Sequence, residues 1–336
     1  MGPIVLCMML GLVGLVMDDT VASAGNQDPI VNQPGDVTGG YAHTTTNDFV
    51  HDIVNHPAFK GFGPYLLPWD DSTDYHDMPL KNVRALLPYH SHVDPDIVVG
   101  ALNHMIDAIN DGQTIFYDFY PERQKQADPS KKATGLFFFR GRPGAPFAVV
   151  CPGGGFAYVG SLHEGFPHAV ELSRWGYNAF VLKYRVGNGL RATEDRAAAI
   201  SYIFANAKKF GVSTEDYALW GSSAGARMVG DIALEGVAGF GGGDLPQPCT
   251  VVIAYTGHTS FSGNYPPAFV VASADDPIAS VPVVDRRVAN LSNAGVEVAY
   301  RRYEHAGHGF GLASGTDAAG WLEHAIQFWE SHLAKW

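Results

Sequence analysis

From Thr114 onward the chain alternates short apolar runs with longer amphipathic stretches. Phe147-Ala148-Val149-Val150-Cys151 and Ala268-Phe269-Val270-Val271 are continuously apolar, as expected of strands buried on both faces. Runs of this kind predict strands at Ile115–Tyr120, Gly135–Phe139, Phe147–Cys151, Asn178–Tyr184, Tyr217–Trp220, Thr250–Tyr255, Ala268–Ser273 and Val296–Tyr303. Helical periodicity fills the intervals at Glu164–Trp175, Ala192–Phe210, Ser223–Glu235, Val281–Ala294 and Asp317–Leu333. Leading strands followed by strand–helix alternation describe an α/β domain with a mostly parallel central sheet flanked by helices. Ligands of such sheets meet the carboxyl ends of the strands, so chemistry is to be sought there.

The first third follows another pattern. Pro3 to Met17 is almost wholly apolar, too short to span a bilayer comfortably, and precedes Val21-Ala22-Ser23-Ala24-Gly25. That A-x-A arrangement predicts a signal peptide cleaved after Ala24 and a secreted or periplasmic protein, although no Lys or Arg precedes the apolar run. Residues 25–112 are expected to form an N-terminal arm and lid, and residues 113–336 the catalytic domain. Within the arm, Ile97, Val98, Ala101, Leu102, Met105, Ile106 and Ile109 fall on one stripe, which predicts a helix over Pro95–Asn110.

Composition narrows the function. Charged residues make up 17% of the chain and the formal net charge is −12. No Lys/Arg cluster offers the basic face that phosphate backbones need, so nucleic acid is excluded as a partner, and nothing predicts stable membrane insertion. Cys7 leaves with the signal. Cys151 and Cys249 are placed at opposite ends of their strands, more than ~15 Å apart and beyond disulfide reach, so two free, buried thiols are expected.

Four stretches carry chemistry. Tyr217-Ala218-Leu219-Trp220-Gly221-Ser222-Ser223-Ala224-Gly225 is a short apolar strand running into G-x-S-x-G and a helix. There the central Ser223 sits on a sharp turn that only glycine flanks permit. Phe147–Cys151 runs into Pro152-Gly153-Gly154-Gly155; the N–H groups of Gly154 and Gly155, with that of Ala224, would make an oxyanion hole for acyl transfer. Asp275 and Asp276 follow the strand ending at Ser273, and either can orient a histidine; Asp275 is the first choice and Asp276 the alternative acid. His308, between Gly307 and Gly309, is chosen over His305 as the base because glycines on both sides let it project. The order Ser, Asp, His, each after a strand, is that of the α/β-hydrolases.

In these stretches, with His163-Glu164-Gly165 and Gly176-Tyr177-Asn178-Ala179-Phe180-Val181-Leu182-Lys183-Tyr184-Arg185, the chain from about Ala148 to its end resembles the α/β-hydrolase esterases grouped with acetyl esterases and acetylxylan esterases. The resemblance implies the α/β-hydrolase fold, no cofactor, and hydrolysis of short-chain acyl esters, acetyl esters among them, of small molecules or carbohydrates. Ala226-Arg227, where that group often has glycine after Gly225, and a short Tyr255–Pro266 segment depart from its pattern near the pocket. A prolyl-oligopeptidase-like serine peptidase and a non-catalytic binding module on the same fold are the alternatives. The first lacks room for a propeller domain, and the second would have lost its serine or histidine. Three weaker features have structural readings: His163-Glu164 as site-shaping residues or a helix cap, Asp195 as a cap or ion pair, and His90-Ser91-His92 as packing residues, since a serine triad needs no metal.

Overall fold

The computed structural model describes residues 39–70 and 74–334; the expected signal peptide and the start of the arm lie outside them. Eight strands form one sheet in the order β1-β2-β4-β3-β5-β6-β7-β8. They are β1 (Phe116–Tyr117), β2 (Gly135–Phe139), β3 (Pro146–Cys151), β4 (Asn178–Lys183), β5 (Ser213–Ser222), β6 (Thr250–Ala254), β7 (Ala268–Ser273) and β8 (Val298–Tyr303). The pairs β1–β2 and β2–β4 are antiparallel; from β4 to β8 every pair is parallel. The helices are α1 (Val50–Val54), α2 (Pro95–Asn110), α3 (Glu122–Ala127), α4 (Phe166–Arg174), α5 (Gly189–Ala205), α6 (Ala207–Phe210), α7 (Ala224–Glu235), α8 (Val281–Asn293) and α9 (Trp321–Glu330).

Because side chains alternate along a strand, each apolar run feeds two cores. Phe137, Val150, Val181, Trp220, Val252 and Phe269 face one of them, with α4 and α9. Phe138, Val149, Phe180, Leu219, Val251 and Val270 face the other, with α5, α7 and α8. Each fully buried side chain of this size contributes roughly 1.5–3 kcal/mol, which is why continuous apolar runs mark the centre of the sheet.

The N-terminal segment belongs to the first core. Val50, Phe59, Phe62, Leu66, Val83, Leu102 and Ile106 are buried in the same cluster as Phe137 and Trp220. Helix α2 begins where expected, with Asp94 accepting from Asp96 N–H at 2.9 Å as the N-cap and Pro95 in the first turn. A buried ammonium ties the segment to the sheet: Lys183 Nζ donates to Leu67 O (2.9 Å) and Pro68 O (3.2 Å) and pairs with Asp70 at 2.9 Å. Burial lowers the pKa of Lys183, and Asp70 opposes that shift.

Several element bounds differ from the sequence reading for local reasons. The first strand shrinks to two residues as the chain turns toward Pro121. Helix α5 starts earlier, capped by Asn188 accepting from Arg191 N–H, and ends at Ala205 with Asn206 as its C-cap, so the expected Ala192–Phe210 helix is split. Glu164 lies in a π-helical turn, Ser161–Gly165, ahead of α4. Both cysteines are free. Cys249 is only partly buried, a correction to the expectation, because it enters β6 at the sheet's rim, where its Sγ–H donates to His332 O.

Candidate active site

Strands β3 and β5 run side by side with Cys151 opposite Gly221, so the glycine loop and the serine turn leave the sheet together. Ser223 has φ +50° and ψ −112°, a strained conformation for a residue with a side chain. The residues two before it and two after it must be glycine. A Cβ on Gly221 would lie 2.4 Å from Gly225 O, and one on Gly225 1.9 Å from Cys151 O. Ser223 N–H is held by Ala254 O of β6 at 2.9 Å, and Ala224 opens α7 with its positive end toward the serine.

His308 Nε2 lies 2.9 Å from Ser223 Oγ, and its Nδ1 lies 2.7 Å from Asp276 Oδ2. A carboxylate only accepts, so Nδ1 carries the proton and Nε2 is left to accept from the serine hydroxyl. The Asp276 side chain is fully buried, and its other oxygen accepts from Ile278 N–H (2.7 Å) and Ala279 N–H (2.8 Å). The first-choice acid, Asp275, is therefore corrected: it does not reach His308. Its side chain is 46% exposed and accepts from Ser273 Oγ–H (2.6 Å) and Gly307 N–H (2.8 Å). The slight burial of Asp275 acts to raise its pKa, and these hydrogen bonds outweigh it, leaving the pKa lowered. His305 is 83% exposed, outside hydrogen-bond reach of Asp275 and away from the serine.

The glycine loop is built with positive φ at Gly154 (+125°) and Gly155 (+63°). Among the described residues the N–H groups of Gly154, Gly155 and Ala224 have no hydrogen-bond partner, whereas Gly153 N–H is taken by Glu164 Oε2 at 2.6 Å. A cleft of about 390 Å³ is lined by Gly155, Phe156, Ala224, Ser223 and His308 together with Arg227, His258 and Ile278. His258 is held neutral, with its pKa pushed down to about 4, first by burial and then by Arg287 and Arg227.

Behind the loop lies a group of side chains that the sequence reading did not bring together. Glu164 is completely buried; Tyr255 O–H donates to its Oε1 at 2.7 Å and His90 Nε2 approaches its Oε2 at 3.2 Å. Glu164 is not a helix cap, since α4 begins without a side-chain cap bond. His90 Nδ1 meets Tyr158 Oη at 2.8 Å, and Tyr158 Oη accepts from Tyr89 N–H at 3.0 Å. Ser91 N–H donates to His308 O at 2.8 Å, and His163 Nε2 bridges Ser91 O (3.1 Å) and Gly309 O (3.0 Å). The spacing of His90 and Glu164 gave no clue to this contact. Asp195 pairs with Arg185 at 2.8 Å inside the domain. No cluster of His, Cys, Asp and Glu suited to a metal occurs among the described residues.

The chain has the α/β-hydrolase fold, with the serine turn after β5 and His308 in the loop after β8. A family model described as BD-FAE matches residues 141–239. An acetylxylan esterase from Xylanibacter ruminicola is 24% identical over 238 residues, 61% of this chain. The chain spans about half the length of that curated relative, 48% of it. Among solved structures, an acetyl ester-xyloside bifunctional hydrolase from Caldicellulosiruptor lactoaceticus superposes with a TM-score of 0.51 at 22% identity, over 59% of this chain and 88% of that one. A thermophilic esterase from Thermogutta terrifontis, with propionate bound, gives 0.52 at 17% identity over 60% and 92%. These likenesses establish the fold. Within the described residues no helix is long and apolar enough to cross a membrane.

Proposed function

We propose that this protein is a serine carboxylic ester hydrolase acting on short-chain acyl esters, acetyl esters of carbohydrates among them. The observation that carries the reading is the continuous hydrogen-bonded series Ser223 Oγ, His308 imidazole, Asp276 carboxylate at 2.9 and 2.7 Å, set beside the unbonded N–H groups of Gly154, Gly155 and Ala224. His308 Nε2 takes the hydroxyl proton as Ser223 Oγ attacks the ester carbonyl, and Asp276 stabilises the imidazolium. The carbonyl oxygen, now negative, is received by the three N–H groups. As the tetrahedral adduct collapses, the C–O bond to the alcohol breaks and His308 protonates the leaving oxygen. Water then attacks the acyl-enzyme, giving its proton to His308, and a second collapse returns the proton to Ser223 and releases the acid.

The names of the relatives, an acetylxylan esterase and an acetyl ester-xyloside hydrolase, support the acetyl and carbohydrate parts of the reading. The test is hydrolysis of 4-nitrophenyl esters from acetate to decanoate and of acetylated xylan, with Ser223→Ala alongside. Activity greatest on acetate or butyrate and lost in Ser223→Ala is expected. Activity that survives the substitution, or none on any ester, overturns the reading.

A further inference from the structure

The oxyanion loop has almost no side chains of its own with which to hold its shape. Gly153, Gly154 and Gly155 are consecutive, two of them at positive φ, so the loop must be fixed from outside. Gly153 is pinned at both polar atoms: its N–H donates to Glu164 Oε2 at 2.6 Å and its carbonyl accepts from Gly160 N–H at 2.9 Å. Gly154 O accepts from Ala157 N–H and Tyr158 N–H. With those groups committed, the next two N–H groups, of Gly154 and Gly155, are left for a ligand.

Glu164 is an expensive residue to place there. A buried carboxylate loses its hydration, and an apolar residue of similar size would fill the same space without that loss. Every contact it makes leads to a part of the site. Oε2 holds Gly153. Oε1 accepts from Tyr255 O–H, whose ring lies edge-on to the His308 ring with centroids 5.3 Å apart. His90 joins from the N-terminal segment at 3.2 Å. Burial acts to raise the carboxyl pKa, but His90, Tyr255 and His163 together hold it below the usual range, so it stays an acceptor-only carboxylate. It is delivered by a π-helical turn, an irregularity found disproportionately at functional sites.

The geometry points to Glu164 as a positioning residue that sets the oxyanion hole by fixing Gly153, and to His90 and Tyr255 as the pair that hold its carboxylate in place. It touches neither substrate nor the reacting atoms. This inference rests on the proposed ester hydrolysis.

The experiment compares Glu164→Gln with Glu164→Leu in the full-length enzyme. Measured are the thermal midpoint, kcat and KM on 4-nitrophenyl acetate per fluorophosphonate-titrated site, and the inhibition constant of phenylboronic acid, whose tetrahedral adduct on Ser223 uses the oxyanion donors. In Glu164→Gln the side-chain carbonyl still accepts from Gly153 N–H while the amide donates to Tyr255 Oη, so kcat is expected within about fivefold of wild type. In Glu164→Leu kcat falls about 10²-fold, in the range for loss of an oxyanion donor. KM there moves less than about threefold, and the boronate binds more weakly by a similar factor to kcat. If Glu164→Leu does not fold, Glu164→Asp carries the test: it keeps the charge but withdraws the acceptor by about 1.5 Å, and kcat should fall while KM holds. Wild-type kcat and boronate affinity per titrated site in folded Glu164→Leu, or in Glu164→Asp where the leucine variant does not fold, overturn the inference and leave the esterase reading standing. A wild-type protein that hydrolyses no ester overturns both.

Discussion

Asp275 and Asp276 are adjacent, yet they hold different groups of one loop: Asp276 grips the His308 ring at 2.7 Å, and Asp275 grips the backbone at Gly307 N–H, one residue earlier, at 2.8 Å. Ser273 Oγ adds to the second grip by accepting from Ala306 N–H at 2.9 Å. Asp276→Asn is expected to lower kcat by about 10³–10⁴-fold, because the amide favours the wrong imidazole tautomer. Asp275→Asn, which leaves the ring's partner in place, should cost less than about tenfold. Parallel kcat measurements on one ester decide; a larger loss at Asp275 would reverse the assignment.

The serine turn leaves no room for even one methyl group at Gly225. Gly225→Ala should give protein that is insoluble or that melts well below wild type, since the new Cβ would sit 1.9 Å from Cys151 O and must push β3 away from α7. Thermal unfolding monitored by circular dichroism reads this directly, and a wild-type midpoint would contradict the packing described.

Two buried histidines give the fold a defined acid sensitivity. Burial pushes His163 down to about 3, with His90 adding to the shift, and His168 down to about 4. Unfolded histidine titrates near 6.5, so between roughly pH 6.5 and 4 the unfolded chain binds protons that the folded chain does not, and stability rises with pH. The thermal midpoint is therefore expected to hold above pH 6.5 and drop as pH falls toward 4. His168 Nε2 has no hydrogen-bond partner, so His168→Phe should flatten the drop by up to about 1.4 kcal/mol per pH unit. A midpoint as steep in the variant as in wild type would remove His168 from the account.

Removing residues 1–112 should abolish cooperative folding rather than release a free catalytic domain. The cut strips Phe59, Phe62, Leu66, Leu102 and Ile106 from the first core and leaves the Lys183 ammonium without Leu67 O, Pro68 O and Asp70. Gel filtration and circular dichroism of the 113–336 fragment test this; a monomeric fragment with a sharp transition would show that the segment is dispensable to the fold.

Where periodicity is strong, the sequence was a good guide. The β3 to β8 core, α2, and the positions of Ser223 and His308 at strand ends all follow from apolar runs and glycine-flanked turns. The choice between Asp275 and Asp276 did not, because both leave the same strand end and only the path of the following backbone, with Ile278 and Ala279 N–H aimed at Asp276, separates them. The pairing of Glu164 with His90 was missed for a different reason. Their partnership joins residues from distant parts of the chain, and local pattern carries no information about which buried polar groups will satisfy one another.

The contact between Ser91 N–H and His308 O couples the proposed base to a stretch of chain lying before the hydrolase core begins. Together with the His163 bridge to Ser91 O and Gly309 O, it makes the extension part of the frame that holds the His308 loop. Relatives that share only the core must brace that histidine loop by other means. Cores and extensions exchanged between such proteins would then be expected to keep their strands and their serine turn, and to differ first in how well the base is aligned.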